Sequence, residues 1–568
     1  MSNTYVNDNE IESVHIPRNY FYRPRKTLTS MEMGKIYPTY ASLLIPNDLV
    51  EINEEIVIRE MPTLKPTFSD KKLINRWFVV ALRNLDKNFY RFMTGYKEYS
   101  NKSKYEEKLK KWKPSNPSVT KPGELWDMLG YPINCIPDAN SLPNAFWKDA
   151  YNYIYDLYFR NETIEDSILI DGEPASSTNE TLLTINRDRD FFTTALPWQQ
   201  LGDPIALPLT GNTKAEWKNN IGLLGISESG GGQLFVNPVP NTDYAGLKVE
   251  REAGGTTQPQ YRELNISKQQ LNNNTVSMAN VSSVFISELR FAFAMQLFQE
   301  MQARGGIRDN EFLLMHFGVA PTDETLGRPR YLGGNQINIL TEEILQTSQT
   351  TQDEPLGQIA GHGLGVGGSD TIRYHAKEFA VLMCMSYIKT DNLYGSQGMP
   401  KEFSLDTLYD FPLPIFGHLS EQPIFKREIL CASEEKLNEN RTSIGKDTKA
   451  ANYNAEIFGY RPVYDWLRHD IDRVHGLFNL EMFYNEKNEK VFKYNLYQWS
   501  EAFFYSIYEN ERPALNKDFI KAKYDNRNYA IVDNTINRSQ FLCWFNRKCN
   551  YFRPATKLGT PGRIDHIL

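Results

Sequence analysis

KIYPTYASLLIP (residues 35–46), EEIVIREMPTLKP (54–66) and NRWFVVALRNL (75–85) follow one another with turn-rich breaks between them. In each, apolar side chains recur at period two and Pro, Asn or Asp bounds the run, which is the pattern of a β-strand. Further along, EFAVLMCMSYIKT (378–390) is a compact apolar run suited to a buried strand. DFPLPIFGHL (410–419), VFKYNLYQW (491–499) and DNRNYAIVD (525–533) add shorter pieces broken by Pro, Gly and Asn. Strands dispersed along a chain with few helices between them predict an antiparallel β-sandwich rather than a βαβ fold.

Two helices interrupt this pattern. DAYNYIYDLYFRNE (149–162) carries Tyr151, Ile154, Tyr155 and Tyr158 at helical spacing, an aromatic stripe for a core. FISELRFAFAMQLFQEMQARGG (285–306) sets Leu289, Phe293, Leu297 and Met301 in i, i+4 register and ends on Gly305–Gly306. Leu289, Phe293 and Leu297 are expected to be buried against the sandwich or a neighbouring subunit. Between the helices, residues 209–280 turn rich in Gly, Asn, Thr and Gln, a long weakly patterned stretch of the kind that carries function on a surface. KSKYEEKLKKWKP (102–114) reads as a solvated polar helix or loop.

At 568 residues the chain exceeds what one core normally organises, so two domains or one core with long insertions are expected. Its 40% hydrophobic and 23% charged content is that of a folded globular protein, not a disordered one. No apolar run reaches membrane-span length, and the polar, acidic start MSNTYVNDNEIES is unlike a signal peptide, so a soluble protein made in the cytosol with no membrane insertion is expected. Five cysteines without a C-x-x-C pair read as free thiols.

A search for catalytic chemistry assigns no catalytic, cofactor or metal residue. GHGLGVGG (361–368) lacks the Lys-Ser/Thr of a phosphate loop and reads as a flexible loop. GISESG around Ser227 lacks the second Gly of a nucleophile elbow. The eight histidines are scattered, with no H-x-x-x-H pair. The adjacent acids Glu342–Glu343 do not single out a glycosidase pair.

Charge is the one property with a spatial message. The net charge is −7, yet from Arg512 to Arg563 eleven Lys or Arg stand against three Asp, and IPRNYFYRPRK (16–26) holds four cations and no acid. Candidate nucleic-acid-binding residues are therefore Arg18, Arg23, Arg25 and Lys26 near the start, and Arg547, Lys548, Arg553 and Lys557 near the end. Arg527, Arg538, Trp544, Phe545, Tyr551 and Phe552 interleave rings with cations, a composition that suits unpaired bases and phosphates. It equally suits an arm anchored in a protein interface.

RDRDFFTTALPWQQLGDPIALPL (187–209) resembles a hallmark of the major capsid proteins of Microviridae, in particular the gokushovirus-like group. The same family is resembled upstream by GKIYPTYASLLIPND, REMPTLKP and AYNYIYDLYFRNE. Downstream it is resembled in order by ELRFAFAMQLFQEMQARGG, HFGVAPTDETLGRPRYLGG, ILQTSQT, HLSEQPIFKREI, IFGYRPVYDWLR and FRPATKLGTPGRIDHIL, so the likeness runs from about Lys35 to the end.

The resemblance implies a mainly β chain: an eight-stranded antiparallel jelly-roll β-sandwich with long loop insertions and a few helices. It implies self-assembly into a small T=1 icosahedral shell around circular single-stranded DNA, without catalysis. The expected organisation is an N-terminal arm (1–34, partly basic) and a discontinuous jelly-roll domain (35–568). Within that domain, 209–280 is a surface insertion forming a threefold protrusion and 512–568 a basic C-terminal arm. Expected partners are other copies of the chain, the packaged DNA, a small internal DNA-binding protein and a host-surface receptor. The expected place is the virion, assembled in the host cytoplasm. A carbohydrate-binding or carbohydrate-cleaving jelly-roll protein is the alternative, because it shares the fold and the aromatic richness (13%).

Overall fold

The computed structural model describes residues 18–63, 70–94, 109–170, 179–202, 286–305, 327–345, 359–395, 398–417, 421–437, 443–446, 449–475, 513–522 and 539–555, with short pieces between them. Two units divide the chain, Met1–Gln199 with Gly305–Leu568, and Gln200–Arg304. No helix among the described residues is long and apolar enough to cross a membrane.

The first unit is mainly β. Ten strands form its antiparallel sheet: β1 (Asn19–Tyr22), β2 (Arg25–Met31), β3 (Ile36–Leu44), β4 (Leu49–Glu60), β5 (Lys71–Ala81), β6 (Arg330–Leu345), β7 (Ile359–Gly368), β8 (Ile372–His375), β9 (Ala380–Thr390) and β10 (Phe541–Arg553). One half runs β2, β10, β4, β7, with the short β1 beside β10 and β8 beside β4. The other half runs β3, β9, β5, β6. β6 joins the halves, pairing with β5 through Ile339 and with β7 from Leu340. Among the eight long strands, successive ones alternate between two facing four-stranded layers except β5 and β6, which share one, and the last long strand lies between β2 and β4. This is a jelly roll, with β1 and β8 as additions to the eight strands expected.

NRWFVVA is a continuous apolar run because β5 is covered on both faces. Asn75 and Trp77 point across to Glu54 of β4. Phe78 points away, its ring 4.9 Å from Tyr158 and 6.0 Å from Phe159. Those rings follow α1 (Phe146–Ile154), which continues through a π-helical turn, Tyr155–Phe159, and buries Tyr151, Ile154 and Tyr155 as the aromatic stripe required. β9, between β3 and β5, is buried at ten of its eleven positions. Each apolar side chain so enclosed contributes about 1.5–3 kcal/mol relative to exposure. Pro38 sits opposite the Cys384/Met385 register shift, on an edge strand where a missing N–H is tolerated.

Two readings are corrected. GHGLGVGG is not a loop but most of β7. Four of its five glycines, Gly361, Gly363, Gly365 and Gly367, fall at alternate positions on the inward face: a Cβ at Gly367 would come within 2.6 Å of Ile337 Cγ1, so the partner strand packs where side chains would be. DFPLPIF is not a strand. It folds as two 3₁₀ turns, Leu408–Asp410 and Pro414–Phe416, because Pro412 and Pro414 remove ladder donors.

In the second unit, strands Leu234–Pro238, Tyr244–Arg251 and Arg262–Ser267 form a three-stranded antiparallel sheet, and Thr213–Lys214 pairs with Thr275–Val276. The remainder of 209–280 lies outside the described residues. Helix α2 (Ile286–Gly305) occupies the stretch read as the second helix. Phe293 and Leu297 are 67% and 59% exposed, however, so the burial expected of them within the chain is absent. Apolar residues lie all round α2, so i, i+4 spacing alone does not define a buried face.

Candidate nucleic-acid interface

The C-terminal basic-aromatic run forms a single strand, and its chemistry is divided by strand periodicity. Along β10 the burial alternates, with odd residues inward and even residues outward. Phe545, Arg547, Cys549 and Tyr551 are inside. Leu542, Trp544, Asn546, Lys548 and Asn550 face out.

Arg547 is fully buried between the sheet halves, which corrects its assignment to nucleic acid. Its Nε lies 3.1 Å from Glu54 Oε2, and its other nitrogens donate to Thr39 O and Thr39 Oγ1, each at 2.9 Å. The guanidinium also packs 4.6 Å from the Phe545 ring centroid and 5.3 Å from that of Trp77. A cation enclosed in this way is held by its own chain and cannot meet a phosphate without opening the sandwich.

Four other candidates lie along the joined strands β1, β2 and β10. Arg553 reaches 3.0 Å from buried Asp48, donates to Leu43 O at 2.9 Å and lies 4.4 Å from the Tyr551 ring. Arg23 lies 5.4 Å from the same ring, and Arg25 lies 5.3 Å from that of Tyr40. Tyr40 and Tyr551, both buried, share a 2.7 Å hydroxyl contact, so the cations pack over one pair of joined rings. Arg18 bonds Asn47 Oδ1 and lies 2.7 Å from His375 Nε2. Strand pairing explains the meeting of the chain ends: β1 pairs Asn19–Tyr22 with Asn550–Arg553, and β2 pairs Arg25 with Arg547.

Lys26 and Lys548 are exposed on the outward face of the first half. Lys548 is not a free cation there: it pairs with Glu55 at 2.6 Å, a contact that raises the lysine's pKa and lowers the glutamate's. Lys557 is exposed beyond β10. Among the described residues, Arg23, Arg25 and Lys26 have no carboxylate within ion-pair distance. Arg527 and Arg538 lie outside the described residues. Phe545 and Tyr551 are interior, whereas Trp544 and Phe552 are partly exposed, Phe552 packing 5.3 Å from Tyr20. Among the described residues no cluster of three His, Cys, Asp or Glu is placed to hold a metal ion.

The geometry is thus a sandwich whose two chain ends carry cations to one rim. A family model described as "Capsid protein (F protein)" matches residues 9–562. The chain belongs to this capsid protein family. Capsid protein VP1 of Bdellovibrio phage phiMH2K is 26% identical over 90% of this chain and 89% of its own length. Capsid protein VP1 of Chlamydia phage 1 is 25% identical over 97% of each, and that of Spiroplasma virus 4 is 25% identical over 96% of each. These matches support a major capsid role, self-assembly with other copies and a place in the virion, and lend nothing to the carbohydrate alternative.

Several residues that organise this capsid protein were missed in its sequence. Glu54 and Glu60 stand on the inward register of β4, and Lys71 opens β5. Glu60 pairs with Lys71, both fully buried, and accepts a 2.8 Å bond from Tyr529 Oη. Elsewhere Lys521 pairs with Glu165 at 2.8 Å, also buried. The available signal was parity: in EEIVIRE, Glu54 and Glu60 share register with Ile56 and Ile58, and a charge in that register needs an interior partner.

Proposed function

We propose that this capsid protein is the coat subunit of a T=1 icosahedral shell enclosing circular single-stranded DNA, assembled in the host cytoplasm, with a structural and not a catalytic role. The segment 209–280 is its surface insertion, a threefold protrusion. The rim carrying Arg18, Arg23, Arg25 and Arg553, together with Lys26, Lys548 and Lys557, faces the DNA. A small internal DNA-binding protein and a host-surface receptor are its further partners.

One observation carries the DNA-facing assignment. Guanidinium groups from both chain ends converge over the buried Tyr40–Tyr551 pair, with Asp48 as the carboxylate paired among them. A net positive rim of this kind suits a phosphate backbone without sequence preference. The test compares shells of the wild type with shells of an Arg23→Gln/Lys26→Gln variant. DNA retention in the wild type should weaken as salt rises, and the variant's log-log salt slope should be shallower by about 1.4, at ~0.7 per phosphate contact on a single strand. An unchanged slope with unchanged DNA content would remove the rim from the DNA-facing side.

A further inference from the structure

The connection between β9 and the strand Glu421–Phe425 holds an apolar surface that the sandwich does not use. Phe403, Leu408, Tyr409, Phe411, Leu413 and Ile415 are between 39% and 77% exposed within a stretch of thirteen residues. A large apolar side chain presents roughly 200 Å² when fully open, so the six expose on the order of 700 Å². Summed over the six residues, that approaches the roughly 800 Å² that one partner gives to a stable interface.

The stretch is also braced into one shape. Lys401 Nζ meets Asp410 Oδ1 at 3.1 Å, and both side chains are largely buried. Asp410 Oδ2 accepts from the Thr407 N–H and the Thr407 hydroxyl, each at 2.8 Å, closing a capping box over Leu408–Asp410. Tyr464 Oη donates to Tyr409 O at 2.9 Å, and the Tyr409 and Phe416 rings lie 4.9 Å apart. Burial opposes ionisation of Asp410, but the Thr407 and Lys401 contacts outweigh it and hold the carboxyl at about 2. A loop fixed before binding has already met its ordering cost, so its exposed area converts more fully into affinity.

We infer that residues 403–415 form an assembly contact that docks onto a second copy of this chain. The inference rests on the coat-subunit reading. Composition opposes nucleic acid as the occupant: residues 402–417 contain Glu402, Asp406 and Asp410 and no Lys or Arg, so phosphates are repelled. The same charge disfavours an anionic membrane. A chain of this family must cover apolar surface against its own copies, and this surface has the area and rigidity for it.

The test uses the full chain, with shell formation followed by electron microscopy and sedimentation. Wild type is compared with a Phe403→Asp/Ile415→Asp variant and with the milder Leu408→Ser. The altered side chains are exposed, so melting temperature and near-UV circular dichroism of the unassembled subunits should match wild type. Assembly should require at least about 100-fold more of the double variant, because each contact loses two apolar anchors. Wild-type assembly by folded double variant and by Leu408→Ser would overturn the inference, as would normal shells that fail only in host-cell attachment. A wild type that forms no shells under any assembly condition would instead overturn the coat reading and this inference with it.

Discussion

Replacing Arg547 by Met removes the interior cation and keeps most of the side chain's volume. Glu54 then loses its 3.1 Å partner and retains contacts at 3.4 Å to Asn75 Nδ2 and Trp77 Nε1, which are neutral and long. Thr39 O loses its donor as well. Removing one partner of a buried ion pair costs about 3–5 kcal/mol. The destabilisation is therefore expected near 3–5 kcal/mol at pH 7.

The assay is urea unfolding of unassembled subunits followed by tryptophan fluorescence, since Trp77 lies 5.3 Å from the guanidinium. Adding Glu54→Gln to the variant should recover most of the loss, because the buried charge is then gone from both sides. An Arg547→Met protein with wild-type unfolding midpoints but reduced DNA in its shells would refute the interior assignment and restore Arg547 to the nucleic-acid interface.

Phe545→Ala should cost about 3–5 kcal/mol in the same unfolding assay, because Phe545 is fully buried, whereas Trp544→Ala on the outward register should cost less. Gly367→Ala should destabilise by about 1–3 kcal/mol, read from the urea midpoint, as its Cβ meets Ile337 at 2.6 Å. Burial pushes Glu428 up to about 7 despite its bond from Phe425 N–H and the nearby Lys401, Arg427 and Arg473. The folded state therefore keeps a proton that the unfolded state releases near 4.5, so this contribution is full below that pH and is lost as pH rises through 7. Melting temperatures between pH 4.5 and 7.5 should show that decline, and Glu428→Gln should flatten it.

Strand identity was legible where one chemical pattern had one structural cause. The runs at 35–46, 75–85 and 378–390 became β3, β5 and β9 because apolar period and turn residues agree there. The pairing of Asn19–Tyr22 with Asn550–Arg553 joins opposite ends of the chain, and local periodicity carries no information about it. The jelly-roll order was reached through family resemblance instead. β7 was misread because its glycines were counted as a composition; taken at alternate positions, they mark the face on which Ile337 packs. The segment 410–419 and α2 failed differently. Hydrophobicity there does not identify a core, because a subunit that must meet copies of itself needs apolar surface outside its own interior.

The cations show why net charge located the interface only in part. A count over residues 512–563 treats Arg547, Lys548 and Arg553 as equivalent, but a strand turns successive side chains to opposite faces. Arg547 shares register with Phe545 and Cys549 and is bound to Glu54, Lys548 shares register with Asn546 and is tied to Glu55, and Arg553 reaches the rim through Asp48. Opposing carboxylates in β4 are legible beside them: the cross-strand pairs are Arg547 with Glu54 and Asn546 with Glu55. A basic strand segment paired with an acidic one is first an internal electrostatic match, and only cations left over at its ends are available to a polyanion. By that criterion Arg23, Arg25 and Lys26, which β10 separates from Glu54 and Glu55 of β4, form the stronger part of the proposed DNA-facing rim.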